Sequence, residues 1–196
     1  LDGTNRVSGL GVDMGCYECQ GAGALVCGFF GSAPREAFDS LAVVFTSSVD
    51  GTNTTIAGYS WDFGDGQTTS GVSLAVVTNT YGAVGLYTVR LVVTNSVGEG
   101  ATNTKPGYAY VVPRTLYVAT TGLNQEPYDT WSKAATSIQS AVDRARVIGT
   151  NQSSVVVTDG TYNVSLCIRV DRGIVVESVN GPRATRVVRV AGSQPV

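Results

Sequence analysis

Between about Ala33 and Val112, apolar and polar residues alternate with the period of two that marks a strand with one buried and one wet face. The pattern predicts strands at Leu41 to Thr46, Ile56 to Phe63, Val72 to Thr78, Tyr87 to Thr94 and Tyr108 to Val112, with short turn-rich stretches between them. In the fourth of these Tyr87, Val89, Leu91 and Val93 form one apolar face, while Thr88, Arg90 and Thr94 face water, and Asn95 to Gly98 makes a hairpin. In the second, Tyr59, Trp61 and Phe63 alternate with Gly58, Ser60 and Asp62, so the rings share a buried face before Gly64 and Asp65-Gly66 turn the chain. An antiparallel sandwich is the expected result.

Beyond Pro113 the texture changes. Tyr117-Val118 reads as a short strand, and Ile138, Ala141, Val142 and Ala145 fall at the spacing of one apolar helical stripe, with Gly149 as the expected stop. Short β-branched runs follow at Val155 to Thr158, Cys167 to Val170, Ile174 to Val176 and Arg186 to Val190, separated by Asp159-Gly160, Asp171 to Gly173 and Asn180-Gly181-Pro182. Runs of this kind suit short parallel strands stacked on one another. The segment Gly21 to Gly31, with Leu25, Val26, Phe29 and Phe30, is too apolar for a free linker and is expected to pack on a solenoid end, on a neighbouring subunit or between domains.

Composition narrows the function more than the fold. The 196 residues carry 14% charged side chains, a formal net charge of -2 and no run of Lys or Arg, which argues against nucleic acid or an anionic membrane surface as partner. His is absent, so the commonest general base and metal ligand is missing. Neither a leader pattern nor an apolar run long enough to span a bilayer follows Leu1, so a mature, processed or partial chain without membrane insertion is expected. Cys16, Cys19, Cys27 and Cys167 are candidates for disulfides with three complete connectivities open; Cys16-x-x-Cys19 lacks the second ligand pair that a zinc site needs.

Two family resemblances organise these observations. The Trp61-Asp62-Phe63-Gly64-Asp65-Gly66 hexapeptide, with Gly85-Leu86-Tyr87-Thr88-Val89 and Val93-Thr94-Asn95, resembles the PKD domain, an immunoglobulin-like module that usually spaces or presents other domains on extracellular proteins. Tyr117-Val118-Ala119, Trp131, Ser137 to Val142, Val157 to Tyr162 and Ser178 to Pro182 resemble the opening of a right-handed parallel β-helix of the pectin-lyase-like class of bacterial surface proteins. Leu1-Asp2-Gly3, Val7 and Val12-Asp13-Met14-Gly15-Cys16-Tyr17-Glu18 resemble the closing segment of that same family, with Cys16 where Ala is usual. The resemblances imply a mainly β protein. A β-helix closing segment and linker would occupy residues 1–32, an immunoglobulin-like PKD β-sandwich residues 33–112, and a partial right-handed parallel β-helix with one N-terminal cap helix residues 113–196.

That order has a physical consequence, because the first and last coils of a solenoid each bury their apolar face only on another coil. Met14 and Tyr17 at one end, and Val187, Val188 and Val190 at the other, are therefore expected to be assembly ends. The chain reads as a fragment of a long tandem protein or as a subunit whose last coil joins the first residues of the next copy, a head-to-tail contact that grows filaments when it fails to close a ring. The expected function is an extracellular or cell-surface structural protein without enzyme activity or cofactor, its main partner another copy of itself. The alternative is an adhesin or polysaccharide-binding fragment of a larger secreted protein.

Catalysis is not expected, since the chain lacks the paired acid and base of glycoside chemistry, and the resemblance places a β-helix's catalytic residues on mid-solenoid strands absent here. Asp62 and Asp65 could offer oxygen to Ca²⁺, but two carboxylates fall short of the six to eight ligands it takes, and bonding to turn amides is the favoured reading; no metal is expected. Glu36 and Asp39 read as ordinary loop acids, and Asp143, Arg144 and Arg146 as a solvated helix face. Asn53, Asn151 and Asn163 match the N-glycosylation acceptor pattern, and Thr52 to Thr55 and Thr68 to Ser70 are exposed candidates for O-linked glycans.

Overall fold

The computed structural model describes residues 24–50, 55–170 and 173–190. Met14, Tyr17, Cys16, Cys19, Asn53 and the closing segment before residue 24 lie outside the described residues.

Strands β1 (Val26–Gly31), β2 (Glu36–Phe38), β3 (Leu41–Asp50), β4 (Ile56–Asp62), β5 (Thr68–Gly71), β6 (Val76–Tyr81), β7 (Gly85–Asn95) and β8 (Gly100–Val112) build two sheets, ordered β1-β3-β6 and β2-β8-β7-β4-β5. The alternation read from the sequence decides which side chains meet between them: Val43 and Phe45 from one sheet face Trp61, Val89, Leu91 and Val93 from the other, all at 0% exposure. Five rings tie the layers together. Phe29 meets Trp61 and Tyr108 edge-on at 5.4 and 5.3 Å, and Phe45 lies 5.4 Å from Phe63 and 5.8 Å from Trp61. Among the described residues the protein is mainly β with one short helix, and this part of it is a two-sheet β-sandwich.

Three features depart from the sequence expectations. Val26–Gly31 is the first sandwich strand, paired antiparallel with β3 from Val26↔Asp50 to Gly31↔Phe45, so the sandwich begins ahead of residue 33. Its outward Val26 and Phe30 are also apolar, which hides the alternation of buried Cys27 and Phe29. The expected strand from Val72 to Thr78 begins only at Val76: β5, just before it, pairs with β4 in one sheet, β6 pairs with β3 in the other, and Val72 to Ala75 crosses between them. The crossing is fixed by Trp61 Nε1–H donating to the Leu74 carbonyl at 2.9 Å. Third, β8 starts at Gly100 rather than Tyr108, because a register shift between its pairings to Tyr87 and Val89 absorbs Pro106, which has no N–H to give the ladder.

After Pro113 the chain continues as β9 (Thr115–Val118), α1 (Ile138–Arg144), β10 (Val147–Ile148), β11 (Asn151–Gln152), β12 (Ser154–Val157), β13 (Gly160–Val164), β14 (Val175–Ser178) and β15 (Thr185–Arg189). β14, β12 and β9 form one parallel sheet, β13 and β15 a second, so corresponding strands of successive stretches stack in register. Helix α1 buries Ile138, Ala141 and Val142 against Leu116, Val118, Val155 and Val157. It ends at Ala145 rather than at Gly149, whose positive φ of 62° instead turns the β10–β11 hairpin. The strand expected at Cys167 to Val170 is not formed; Gly160–Val164 takes that place, its Tyr162 only 4% exposed.

Candidate functional site

Strand β4 delivers Trp61 into the core and Asp62 to the surface, and the next five residues turn the chain back toward β5. Asp62 Oδ1 accepts the Gly64 N–H at 2.9 Å; Asp65 Oδ1 accepts the Gln67 N–H at 2.9 Å, and its Oδ2 accepts from Asn79 Nδ2 at 2.8 Å. Both carboxylates thus bond groups of the turn and its neighbour, as Asp does in Asx-turns. Among the described residues no group of three or more His, Cys, Asp or Glu is placed to hold a metal ion. Gly64 has φ +79°, and a Cβ there would stand 2.4 Å from the Thr88 carbonyl oxygen. Gly64→Ala is expected to cost about 2 kcal/mol or more, since the left-handed penalty and a backbone clash add, and a denaturant melt of the variant measures it.

Tyrosine hydroxyls tie the sandwich at its polar seams. Tyr81 donates to the Phe63 carbonyl at 3.2 Å and Tyr87 to the Ala83 carbonyl at 2.5 Å. Burial pushes the phenols of Tyr81, Tyr87 and Tyr128 above the ordinary tyrosine value and that of Tyr110 up to about 12. A folded pKa above the unfolded one, near 10, means stability fully present below that value and lost as pH climbs through the folded values. Moving from pH ~8 to ~11 should therefore lower the melting temperature, and a flat profile over that window would contradict the burial of these phenols.

The remaining sequence candidates scatter. Cys27 is a free, buried thiol in β1 whose pKa is raised by that burial, and Cys167 is a free, exposed thiol, so the two are not bonded to each other; strand β1 locks Cys27 into the sandwich core. Asn151 in β11 and Asn163 in β13 are exposed. Glu36 and Asp39, expected to be idle loop acids, reach across to the parallel-stranded part. Arg146 Nε donates to Glu36 Oε2 at 2.8 Å, and Arg114 grips Asp39 through Nε and a terminal nitrogen at 3.0 and 2.5 Å. Arg146, expected on a solvated helix face, lies just past the helix end, and Ser153, 0% exposed, donates to the Pro113 carbonyl at 2.9 Å. These bonds join sequence positions 40, 75 and 110 apart, which is why no local pattern announced them.

The parallel strands place apolar side chains in columns. Leu116, Val155 and Val176 are in register, as are Tyr162 and Val187. Leu116 and Val155 are fully buried, whereas Val176 and Val187, in the outermost layer, are 38% and 51% exposed. The two sides of this stack differ. On the β9 side the Tyr117 N–H donates to the Tyr128 carbonyl, and Ala135 bridges β9 by bonding Tyr117 and Ala119, so that edge is covered. On the other side, among the described residues, no strand pairs with the outer edge of β14 or β15. Of the expected assembly residues, Val187 shares the inward register of buried Tyr162, while Val188, half-buried, pairs with exposed Asn163 on the opposite face. Exposed Val190 follows β15 and donates its N–H to the Val164 carbonyl.

Comparison with known proteins bears on the sandwich. The PKD domain family model matches residues 32–109. Similar solved structures include the PKD1 domain from Vibrio cholerae metalloprotease PrtV, 30% identical over 42% of this chain and 91% of that one, with a TM-score of 0.35. The PKD1 domain of Vibrio anguillarum Epp is 28% identical over 45% and 95% of the two chains, with a TM-score of 0.37. A structure described as concerning the promiscuous specificity of carbohydrate-binding modules from the β-sandwich superfamily is 28% identical over 47% of this chain and 36% of that one, with a TM-score of 0.41. No curated protein matches the chain. No helix among the described residues is long and apolar enough to cross a membrane, and PKD domains are typical of extracellular or secreted bacterial proteins. With its ring-bearing strand, its Asp-anchored turn and the family match over the same stretch, the chain belongs to the PKD domain family through residues 32–109.

Proposed function

We propose that the chain is a non-catalytic extracellular protein of the structural or adhesive class, in which the PKD domain spaces and presents the opening segment of a parallel β-helix. The coil at β14 and β15 then receives a further coil from a second copy of the chain, supplied by the closing segment within residues 1–32, and copies add head to tail. The observation that carries this reading is the asymmetry of the stack: an edge covered by Tyr128 and Ala135 on one side, and exposed Val176 and Val187 in line with buried columns on the other. An uncovered parallel edge with apolar residues in register is a template for another strand. The ion pairs from Arg146 to Glu36 and Arg114 to Asp39 support a spacer that holds its orientation. Electron microscopy of the concentrated protein should show filaments with an axial repeat; monodisperse single particles at every concentration would remove the assembly reading.

A second reading, an adhesin or polysaccharide-binding part of a larger secreted protein, is favoured by the polar cleft between the sandwich and the α1–β10 stretch. Binding of the isolated chain on a glycan array, lost when the cleft residues are changed, is its test.

A further inference from the structure

The cleft at that junction has a volume of about 670 Å³, and its walls include Arg35, Glu36, Tyr108, Tyr110 and Arg144. Its polar groups divide into those already committed to protein partners and those that are not. Arg144 pairs with Glu126, and Arg146 holds Glu36 through both carboxylate oxygens, at 2.8 and 3.4 Å. Arg35 makes no ion pair among the described residues; its guanidinium rests over the Tyr108 ring, 4.8 Å from the centroid. An arginine held over an aromatic face is oriented while its donor fork stays available for a carboxylate.

Tyr110 supplies a second, independent observation. It is 2% exposed, yet its hydroxyl has no hydrogen-bond partner, an arrangement rare among buried hydroxyls. Near this phenol stand two guanidiniums, Arg144 and Arg146, and two carboxylates, Glu36 and Glu126. With Arg35 the cleft has one more positive than negative group, so an anion is favoured. Glu36 retains lone pairs for hydroxyl donors, and Pro34, Leu86 and Pro106 add apolar wall. Guanidinium donors, carboxylate acceptors and apolar surface in one cleft fit a ligand that carries hydroxyls, a carboxylate and C–H faces together.

We propose that the cleft binds an acidic saccharide. The carboxylate of a uronic-acid unit lies on Arg35, its hydroxyls reach Glu36, and the Tyr110 phenol donates to it directly or through one bridging water. The site belongs to the polysaccharide-binding reading and is independent of coil stacking. Titration calorimetry of the full chain with a glucuronic acid tetrasaccharide, against the matching glucose tetrasaccharide, tests it. Saturable binding of the acidic sugar that weakens with salt, and at least about tenfold weaker binding of the neutral one, is expected. Arg35→Ala should weaken the acidic sugar about tenfold, and Tyr110→Phe severalfold with the melting temperature kept. Equal affinity for both sugars, no saturable binding of the acidic one, or indifference to Arg35→Ala overturns the proposal. Binding to some other glycan on an array that survives Arg35→Ala would overturn the cleft site while leaving the polysaccharide reading standing.

Discussion

Trp61→Ala should lower the stability of the sandwich by roughly 3–5 kcal/mol, the range for emptying a large aromatic site in a packed core. The ring is fully buried, contacts Phe29, Phe45 and Phe63, and carries the Nε1–H bond that holds Leu74 where the chain changes sheets. Truncation would open a cavity and leave the Leu74 carbonyl without its donor. For a domain of this size the loss corresponds to a fall in melting temperature of upwards of about 12 °C. Trp61→Phe, which keeps most of the volume and loses the bond, should fall between wild type and Trp61→Ala. If calorimetry shows the Trp61→Ala melt unmoved, the ring is not in the core.

Val187→Asp should abolish head-to-tail assembly while leaving the monomer folded. In the isolated chain Val187 is 51% exposed, so a carboxylate there stays hydrated. Once another coil covers it, that carboxylate would be buried without a partner, at a cost of several kcal/mol. Val188→Asp is the control. It sits one residue along, half-buried beside exposed Asn163 on the opposite face of β15, and filaments of normal axial repeat are expected from it. Normal filaments from Val187→Asp, or loss of filaments only in the Val188→Asp variant, would show that copies do not meet through this column. Circular dichroism and a melt of each variant separate a failure to assemble from a failure to fold.

The sandwich was legible because its signals are local. Tyr59, Trp61 and Phe63 alternate with small and polar residues, Asp62 and Asp65 sit two residues ahead of the amides they bond, and Tyr87 to Val93 repeats the period. Where both faces of a strand are apolar, as in Val26–Gly31, the period disappears and nothing local marks the strand. Where Pro106 interrupts a strand, only the bulge in its pairing with β7 shows that the ladder resumes on the far side. The late start of the expected Val72 to Thr78 strand, at Val76, likewise depends on Trp61 reaching Leu74, a contact between residues thirteen apart.

The amino-acid sequence alone determined that this protein is mainly β, that an antiparallel sandwich stands at its centre and that the apolar stripe of Ile138, Ala141 and Val142 is a helix, because each rests on periodicity within a few residues. Only the tertiary structure decided which acids meet which arginines at the junction, that Tyr110 is buried without a partner, and that Val187 rather than Val188 continues the inner column. Those outcomes depend on strand register and on contacts across 75 or more residues, and a one-residue shift in register turns every side chain to the opposite face.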